Sequence, residues 1–348
     1  MRVLTMKSMV ITEHGGSDCL KLVDQPTPNP GPGEVRVRVR AASLNHLDIW
    51  IRMGAFGKMK LPHTGGCDGA GEVAEVGAGV EGFAKGDRVV VAPGLGCGIC
   101  DDCLAGNDSF CPRFQVLGSS IPGTFSECVL VDARRLVKVS DALSFEEWAA
   151  LGVAYLTAWH MLFGRAHMRP GERVLIHAAG SGVGAAAIQL AKLAGGLIFT
   201  TSSKDDKLAR AKSELGADAT ANYAAGDVTA EVMEWSGGRG VDVVIDHIGP
   251  DTWQTNLASL RKGGRLVNCG VTSGTKVEME FRPIYARQIS FLGAYLGNRH
   301  EFDALLKMAE AGRFKPVIDR VFGLADLAAA QDYMDSRQHF GKIILRVP

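Results

Sequence analysis

The sequence predicts an α/β chain of two domains: a mostly β domain and a doubly wound parallel-sheet domain. Three observations predict it. Residues 1–150 hold short alternating strands broken by Gly and Pro. From residue 151 onward strands and helices take turns along the chain. The first strand-to-helix turn of that second region is glycine-rich. The 348 residues, 46% of them hydrophobic, are enough for two cores. The domains read as 1–150, then 151–296, with 297–348 returning to the first.

In order, Val35-Arg36-Val37-Arg38-Val39-Arg40 alternates strictly, as a strand with one buried face does. Gly71–Gly77 and Asp87–Val91 are further short strands. Pro26–Glu34 reads as a loop, because proline fixes φ and removes donors. Trp148, Leu151, Tyr155 and Trp159 fall at helical spacing, which predicts one helix from Phe145 to Phe163. Then come strand Arg173–His177, helix Val183–Leu193, strand Leu197–Thr201 and helix Lys204–Leu215. Strand Val241–Asp246, helix Thr252–Leu260, strand Arg265–Val267 and strand Ser290–Leu296 complete the alternating region, as a parallel sheet covered on both faces would require. Two helices and a closing strand, Lys342–Val347, finish the chain.

Lys plus Arg equals Asp plus Glu at 38 each, so no basic field for nucleic acid is expected. No run approaches the roughly 18 apolar residues that span a membrane. The opening MRVLTMKSMVITEHG lacks the apolar core of a secretory leader. Scattered thiols at Cys19, Cys67, Cys128 and Cys269 fit a reducing compartment, and a cytoplasmic location is expected.

Cys97, Cys100, Cys103 and Cys111 crowd into CGICDDCLAGNDSFC, a lobe at about 94–114. Short loops at this spacing let four thiolates converge on one Zn²⁺ at about 2.3 Å. The interleaved Gly, Asp and Asn argue against a core strand or helix. One structural Zn²⁺ per chain is expected.

Strand Arg173–His177 runs into AAGSGVG, Ala178 to Gly184, and then a helix. Gly180, Gly182 and Gly184 suit a tight turn, close approach to a pyrophosphate and close helix packing, with Ser181 and Val183 between them. The helix N-terminus offers free N–H groups to that phosphate. About 20 residues on, NAD sites place a carboxylate at the strand end for the ribose 2′-OH. Here the tip is Thr201-Ser202-Ser203-Lys204. Hydroxyls at Ser202 and Ser203, with Lys204 or Lys207, suit a 2′-phosphate, so NADPH is favoured and NADH remains possible.

On these motifs the chain resembles the medium-chain dehydrogenase/reductase superfamily of zinc alcohol dehydrogenases and quinone oxidoreductases. The resemblance covers essentially the whole sequence. Gly65-Gly66-Cys67-Asp68-Gly69-Ala70-Gly71 matches the family's first-domain glycine run. It implies a GroES-like catalytic domain joined to a Rossmann domain, with an active site in the cleft between. It also implies that Thr157 lies near the nicotinamide, that Tyr223 packs near the adenosine phosphate, and that Cys269-Gly270 passes beside the nicotinamide.

The family's alcohol dehydrogenases hold a catalytic zinc on a Cys, a His of a Gly-His-Glu motif, and a third ligand near the domain junction. This sequence has Asn45, Cys67-Asp68 and Val153 there. His46 and His63 are the remaining candidates to complete a ligand set. The segment Asn45 to Gly54 instead resembles the zinc-free quinone and enone reductases, which usually lack the cysteine lobe. The implied function is an oxidoreductase that adds hydride from NADPH to an activated C=C of an enone, enoyl thioester or quinone. Asn45, His46 and Asp48 are the candidate catalytic residues. Asn45 is expected to donate to the carbonyl or orient the ribose, His46 to relay a proton, and Asp48 to anchor the loop, through Arg52. The alternatives are an alcohol dehydrogenase with an altered zinc set, or a nucleotide-binding member of low activity. The apolar strand after residue 289 implies a homodimer or homotetramer.

Overall fold

The computed structural model describes residues 4–55 and 59–348, so the first three residues of the leader reading lie outside it. The chain divides into two compact units, 1–154 with 298–348, and 155–297.

The first unit is β-rich. Its main sheet runs Leu136–Lys138, Arg88–Val91, Asp68–Val76, Glu34–Ser43, Lys342–Arg346, Ile318–Gly323, with Cys128–Asp132 also paired to Glu34–Ser43. Strand Glu34–Ser43 forms because Val35, Val37, Val39 and Ala41 all face the core. On its other face, Arg36 pairs with Glu75 at 2.7 Å and Arg40 with Glu72 at 2.8 Å. A smaller sheet joins Leu20–Pro26, Thr5–Ile11 and His63–Thr64. The expected loop at Pro26–Glu34 therefore begins one residue later, since Pro26 closes a strand opposite Thr5. Ile318–Gly323 is a strand the sequence pattern did not announce. It runs parallel to Lys342–Arg346.

The expected helix from Phe145 to Phe163 is broken. Ser144 and Glu147 cap each other at the start of Phe145–Ala150, through N–H bonds of 2.8 and 3.1 Å. A new helix, Val153–Trp159, begins after Gly152, followed by a wider π-type turn over His160–Arg165. Gly152 leaves room for the Asp68 carboxylate, to which a Cβ there would come within 2.1 Å.

The second unit is a six-stranded, all-parallel sheet. Its order is Ala219–Asn222, Leu197–Ser202, Arg173–Ile176, Val241–Asp246, Leu260–Asn268, Ser290–Gly293. The chain starts at Arg173–Ile176, builds outward to one edge, then returns to build the other half. The switch falls between Arg173–Ile176 and Val241–Asp246, where ligands of such sheets bind beyond the strand C-termini. Val241–Asp246 is buried throughout, as a strand covered on both faces must be. The last strand ends at Gly293 rather than Leu296.

Candidate active site, cofactor turn and metal lobe

Strand pairing assembles the polar centre of the first unit. Strand Glu34–Ser43 sets Ser43 opposite Asp68 on one side and Ile344 on the other. Extending the second register by two residues puts Lys342 opposite Asn45. Asn45 stands at the N-cap of helix His46–Arg52, where the Asp48 carboxylate accepts its backbone N–H at 2.7 Å.

Asn45 Nδ2 donates to Asp68 Oδ2 at 2.8 Å. Lys342 Nζ donates to Asn45 Oδ1 at 2.6 Å, to the Leu44 carbonyl at 2.7 Å and to Asp68 Oδ2 at 3.3 Å. The other Asp68 oxygen accepts the Val153 N–H at 2.7 Å. The Lys342 and Asp68 side chains are 2% and 0% exposed, so the pair is fully desolvated. A lysine only donates and a carboxylate only accepts, so the Asn45 amide has one chemically consistent orientation.

Burial pushes the Asp68 carboxyl up, while Lys342, the Asn45 amide and the Val153 N–H pull it down. Asp48 is pushed up to about 7, chiefly by burial, against the Asn45 N–H and with the Asp68 charge adding to the rise. Burial, then Asp48 and Asp68, hold the Cys67 thiol well above its usual range. Cys67 is thus a neutral S–H that donates to Asp48 Oδ1 at 3.6 Å.

Asp48 does not anchor its loop through Arg52 as expected. Arg52 Nη1 donates to Gln331 Oε1 at 2.9 Å, and its Nη2 lies 3.8 Å from Asp335. His46 packs edge-on to Trp50, centroids 5.7 Å apart, and burial lowers its pKa, so it is a neutral ring. His63 Nε2 lies 2.9 Å from the Gly118 carbonyl oxygen.

A raised Asp48 has a consequence for stability. The folded state holds a proton on Asp48 up to about pH 7, while the unfolded chain loses it near 4. Its stabilising contribution is present below pH 4 and is lost as pH rises to 7. Asp48→Asn is therefore expected to gain on the wild type by about 2–4 kcal/mol between pH 4 and 7, then plateau. Urea unfolding of both proteins across that range checks it. A pH-independent difference would show that Asp48 titrates normally.

Among the described residues, three or more His, Cys, Asp or Glu ligand atoms converge within 4.8 Å only at Cys97, Cys100, Cys103 and Cys111. A Zn–S bond of about 2.3 Å gives a tetrahedral S···S edge of about 3.8 Å, so the lobe fits zinc. The N–H groups of Cys97 and Arg113 both donate to Cys111 Sγ at 3.3 Å, which suits a thiolate. Gly98 turns the knuckle with φ +79, and a Cβ at Gly96 would lie 2.6 Å from Cys103 Sγ. The lobe is tied to helix Arg299–Glu310. Ser109 N–H donates to Asn298 Oδ1 at 3.0 Å, and Arg299 N–H to Asp108 Oδ1 at 2.9 Å. Asn45, Asp48, Cys67 and Asp68 do not fit a catalytic zinc. Two of the oxygens, Asn45 Oδ1 and Asp68 Oδ2, already hold the Lys342 ammonium.

In the second unit, Ser181 caps helix Gly182–Leu193, its Oγ accepting the Gly184 N–H at 2.9 Å. Ala178 is in the left-handed region at φ +53. A Cβ on Gly184 would meet the Ala178 carbonyl at 2.2 Å, so the helix enters its turn only with glycine there. Gly180 is buried, and Gly182 and Val183 lie half-buried in the first turn. This cradle fits a dinucleotide pyrophosphate. Sequence reasoning missed His247, whose Nε2 lies 3.0 Å from Ser181 Oγ at the end of the neighbouring strand. Gly270 follows the next strand, with its N–H donating to Asn268 Oδ1 at 3.2 Å, and a Cβ there would approach the His247 carbonyl to 2.8 Å. Cys269 is pushed up to about 12 by burial and by Asp246. Its side chain is thus a neutral S–H, half-buried in the fold.

Ser202 ends its strand, and its carbonyl accepts the Tyr223 N–H at 3.1 Å. Ser203 is exposed, Lys207 is buried and Tyr223 is half-exposed. The Asp205 carboxylate is drawn to the next strand by Asn222 Nδ2 at 2.7 Å. Thr157 is buried on helix Val153–Trp159.

Two family profiles match the chain: "Alcohol dehydrogenase GroES-like domain" over residues 31–141 and "Zinc-binding dehydrogenase" over 182–311. An NAD-dependent alcohol dehydrogenase of Sulfolobus acidocaldarius is 33% identical, over 98% of this chain and 100% of its own. A quinone oxidoreductase of Pseudomonas aeruginosa is 32% identical, over 97% and 99%. A solved structure described as an NAD-dependent alcohol dehydrogenase superposes with a TM-score of 0.95 at 44% identity, covering 99% of this chain and 100% of that one.

Proposed function

The chain belongs to the medium-chain dehydrogenase/reductase superfamily, and from that membership we propose that it is an NADPH-dependent reductase of an activated C=C, acting without a catalytic metal. The substrate class is an α,β-unsaturated carbonyl, an enoyl thioester or a quinone. One observation carries the reading. The position that would hold a catalytic zinc is filled by the hydrogen-bonded set Asn45, Asp68 and Lys342.

Oxidising an alcohol requires an alkoxide to be stabilised, which a Lewis acid does well. Adding hydride to the β-carbon of an enone moves charge onto an enolate oxygen, which a fixed N–H donor stabilises without a metal. Bound NADPH supplies the hydride. Asn45 Nδ2 is the donor assigned to the carbonyl. His46, neutral at physiological pH, is the assigned proton relay to the α-carbon, and Asp48 holds the Asn45 backbone in place. Thr157, Cys269 and Gly270 are assigned to the nicotinamide side, and Gly180, Ser181, Gly182, Val183 and Gly184 to the pyrophosphate.

Relatives bear the words "NAD-dependent". The assignment of NADPH rests instead on the strand tip. Ser202 and Ser203 stand where a ribose carboxylate would, Asp205 is engaged by Asn222, and Lys207 and Tyr223 complete a site for a 2′-phosphate. The structural zinc is held by Cys97, Cys100, Cys103 and Cys111.

The second unit also supports a homodimer. Strand Ser290–Gly293 lies at the edge of its sheet, and Phe281, Tyr285, Phe291 and Tyr295 are all more than half exposed. Sedimentation is expected to give a dimer or larger at micromolar protein, and a monomer would refute it.

Turnover and metal content test the function together. The expected result is NADPH oxidation with a simple enone or quinone and one zinc per chain. Alcohol oxidation with two zincs per chain would replace this reading with the altered-ligand dehydrogenase. Tight NADPH binding without turnover across carbonyls, enones and quinones would replace it with a low-activity nucleotide-binding protein.

A further inference from the structure

We infer that Lys342 is a resident internal cation of the Asn45–Asp68 site, a positioning residue that fixes the Asn45 amide as a hydrogen-bond donor and excludes a divalent metal from the same oxygens. The inference deepens the metal-free reading above and rests on it for the substrate chemistry.

The ammonium is fully coordinated. Its three hydrogens match three acceptors: the Leu44 carbonyl, Asn45 Oδ1 and Asp68 Oδ2. No hydrogen remains for a substrate, so Lys342 acts only through what it holds. A metal that took Asn45 Oδ1 and Asp68 Oδ2 as ligands would have to displace this charge. Displacement would strand an ammonium in a place where its side chain is 2% exposed, and an unpaired buried charge opposes that.

The effect on Asn45 follows from donor and acceptor rules. Lys342 accepts nothing, so Oδ1 must face it; Asp68 as a carboxylate donates nothing, so Nδ2 must face it. Nδ2 carries two hydrogens. One goes to Asp68, and the second has no partner among the described residues. Asn45 as a whole is 7% exposed, and this second N–H is the one we assign to a ligand. With neutral side chains at both 68 and 342 the amide is free to turn over. It would then present an acceptor oxygen where an enolate needs a donor.

The strand register supplies the geometry. The pairing of Lys342–Arg346 against Glu34–Ser43 delivers the residue at 342 to the residue at 45. The carboxylate is fixed independently by the Val153 N–H and by Gly152, where a Cβ does not fit. The ammonium thus closes a frame that is built from both sides.

The test uses the zinc-loaded full chain and two measurements. First, Co²⁺ is titrated into wild-type protein. No thiolate-to-cobalt absorption beyond the four-cysteine site is expected, and a second equivalent ligated by Cys67 would overturn the inference. Second, the double variant Asp68→Asn/Lys342→Met removes both charges together, so neither is left buried alone. Its kcat is expected to fall about a hundred- to a thousandfold, the scale of losing one oriented donor, with KM for NADPH within about twofold. A folded double variant with wild-type kcat would show Lys342 to be structural only, and would overturn it. If the double variant does not fold, the cobalt titration decides. If wild-type protein reduces no enone or quinone, the functional reading fails, while the cobalt result still stands for or against Lys342.

Discussion

Asp68→Ala is expected to destabilise the protein by about 3–5 kcal/mol, among the largest effects of any single substitution in the first unit. The carboxylate is 0% exposed and accepts three hydrogen bonds, from Asn45 Nδ2, the Val153 N–H and Lys342 Nζ. Removing it leaves an ammonium without its counter-charge and a helix start without its acceptor. The cost comes mostly from what is stranded, because the intact pair offsets little more than its own desolvation. The double change Asp68→Asn/Lys342→Met strands no charge, so its stability is expected to lie well above that of Asp68→Ala. Urea unfolding of the two variants and the wild type distinguishes these cases. Equal losses for Asp68→Ala and the double change would mean that the charges do not compensate each other in the fold.

That centre was only half legible in the sequence. Asn45 and Asp48 sit three apart across the start of a short helix, a local signal of a capped N-terminus, and the glycine run around Cys67 and Asp68 was plain. Lys342 was not, because it lies nearly the whole chain away and reaches Asn45 through one strand register. A single lysine heading the apolar run Lys342-Ile343-Ile344-Leu345 was the available signal, and it reads equally well as an exposed strand end. The helix break had the same kind of cause. Trp148, Leu151, Tyr155 and Trp159 keep helical period, yet Gly152 yields to a carboxylate held by a distant strand. Periodicity reports one segment's own preference and cannot register a side chain inserted from elsewhere. Arg52 was misread for this reason too: Asp48 is four residues before it, but Gln331 offers the better-placed acceptor. The alternating strands and helices of the second unit were legible because each is a local pattern. The glycine turn adds backbone contacts that only glycine permits.

Loss of the lobe metal is expected to be the largest perturbation of all, and to act on stability before chemistry. Four thiolates on one Zn²⁺ make a closed site with no open ligand position. Binding energy at such sites is folding energy, about 10–16 kcal/mol in small zinc peptides, of which a lobe held at its base by strands Gly94–Leu95 and Gln115–Val116 shows only a part. Without the ion, the four sulfurs within 4.8 Å of each other have only weak mutual hydrogen bonds to hold them. The lobe's ties to Asn298 and Arg299 should loosen with it, and with them the start of helix Arg299–Glu310. A loss of about 3 kcal/mol lowers Tm by roughly 6–12 °C in a domain of this size, and the expected loss is at least that. Cys103→Ser and chelator-treated protein should both show it in a thermal scan, with zinc release followed by a colorimetric indicator. Turnover per folded molecule, measured well below the new Tm, should change little. A Cys103→Ser protein that kept its metal and its Tm but lost turnover would place the lobe in the chemistry, against every contact that now ties it to the scaffold.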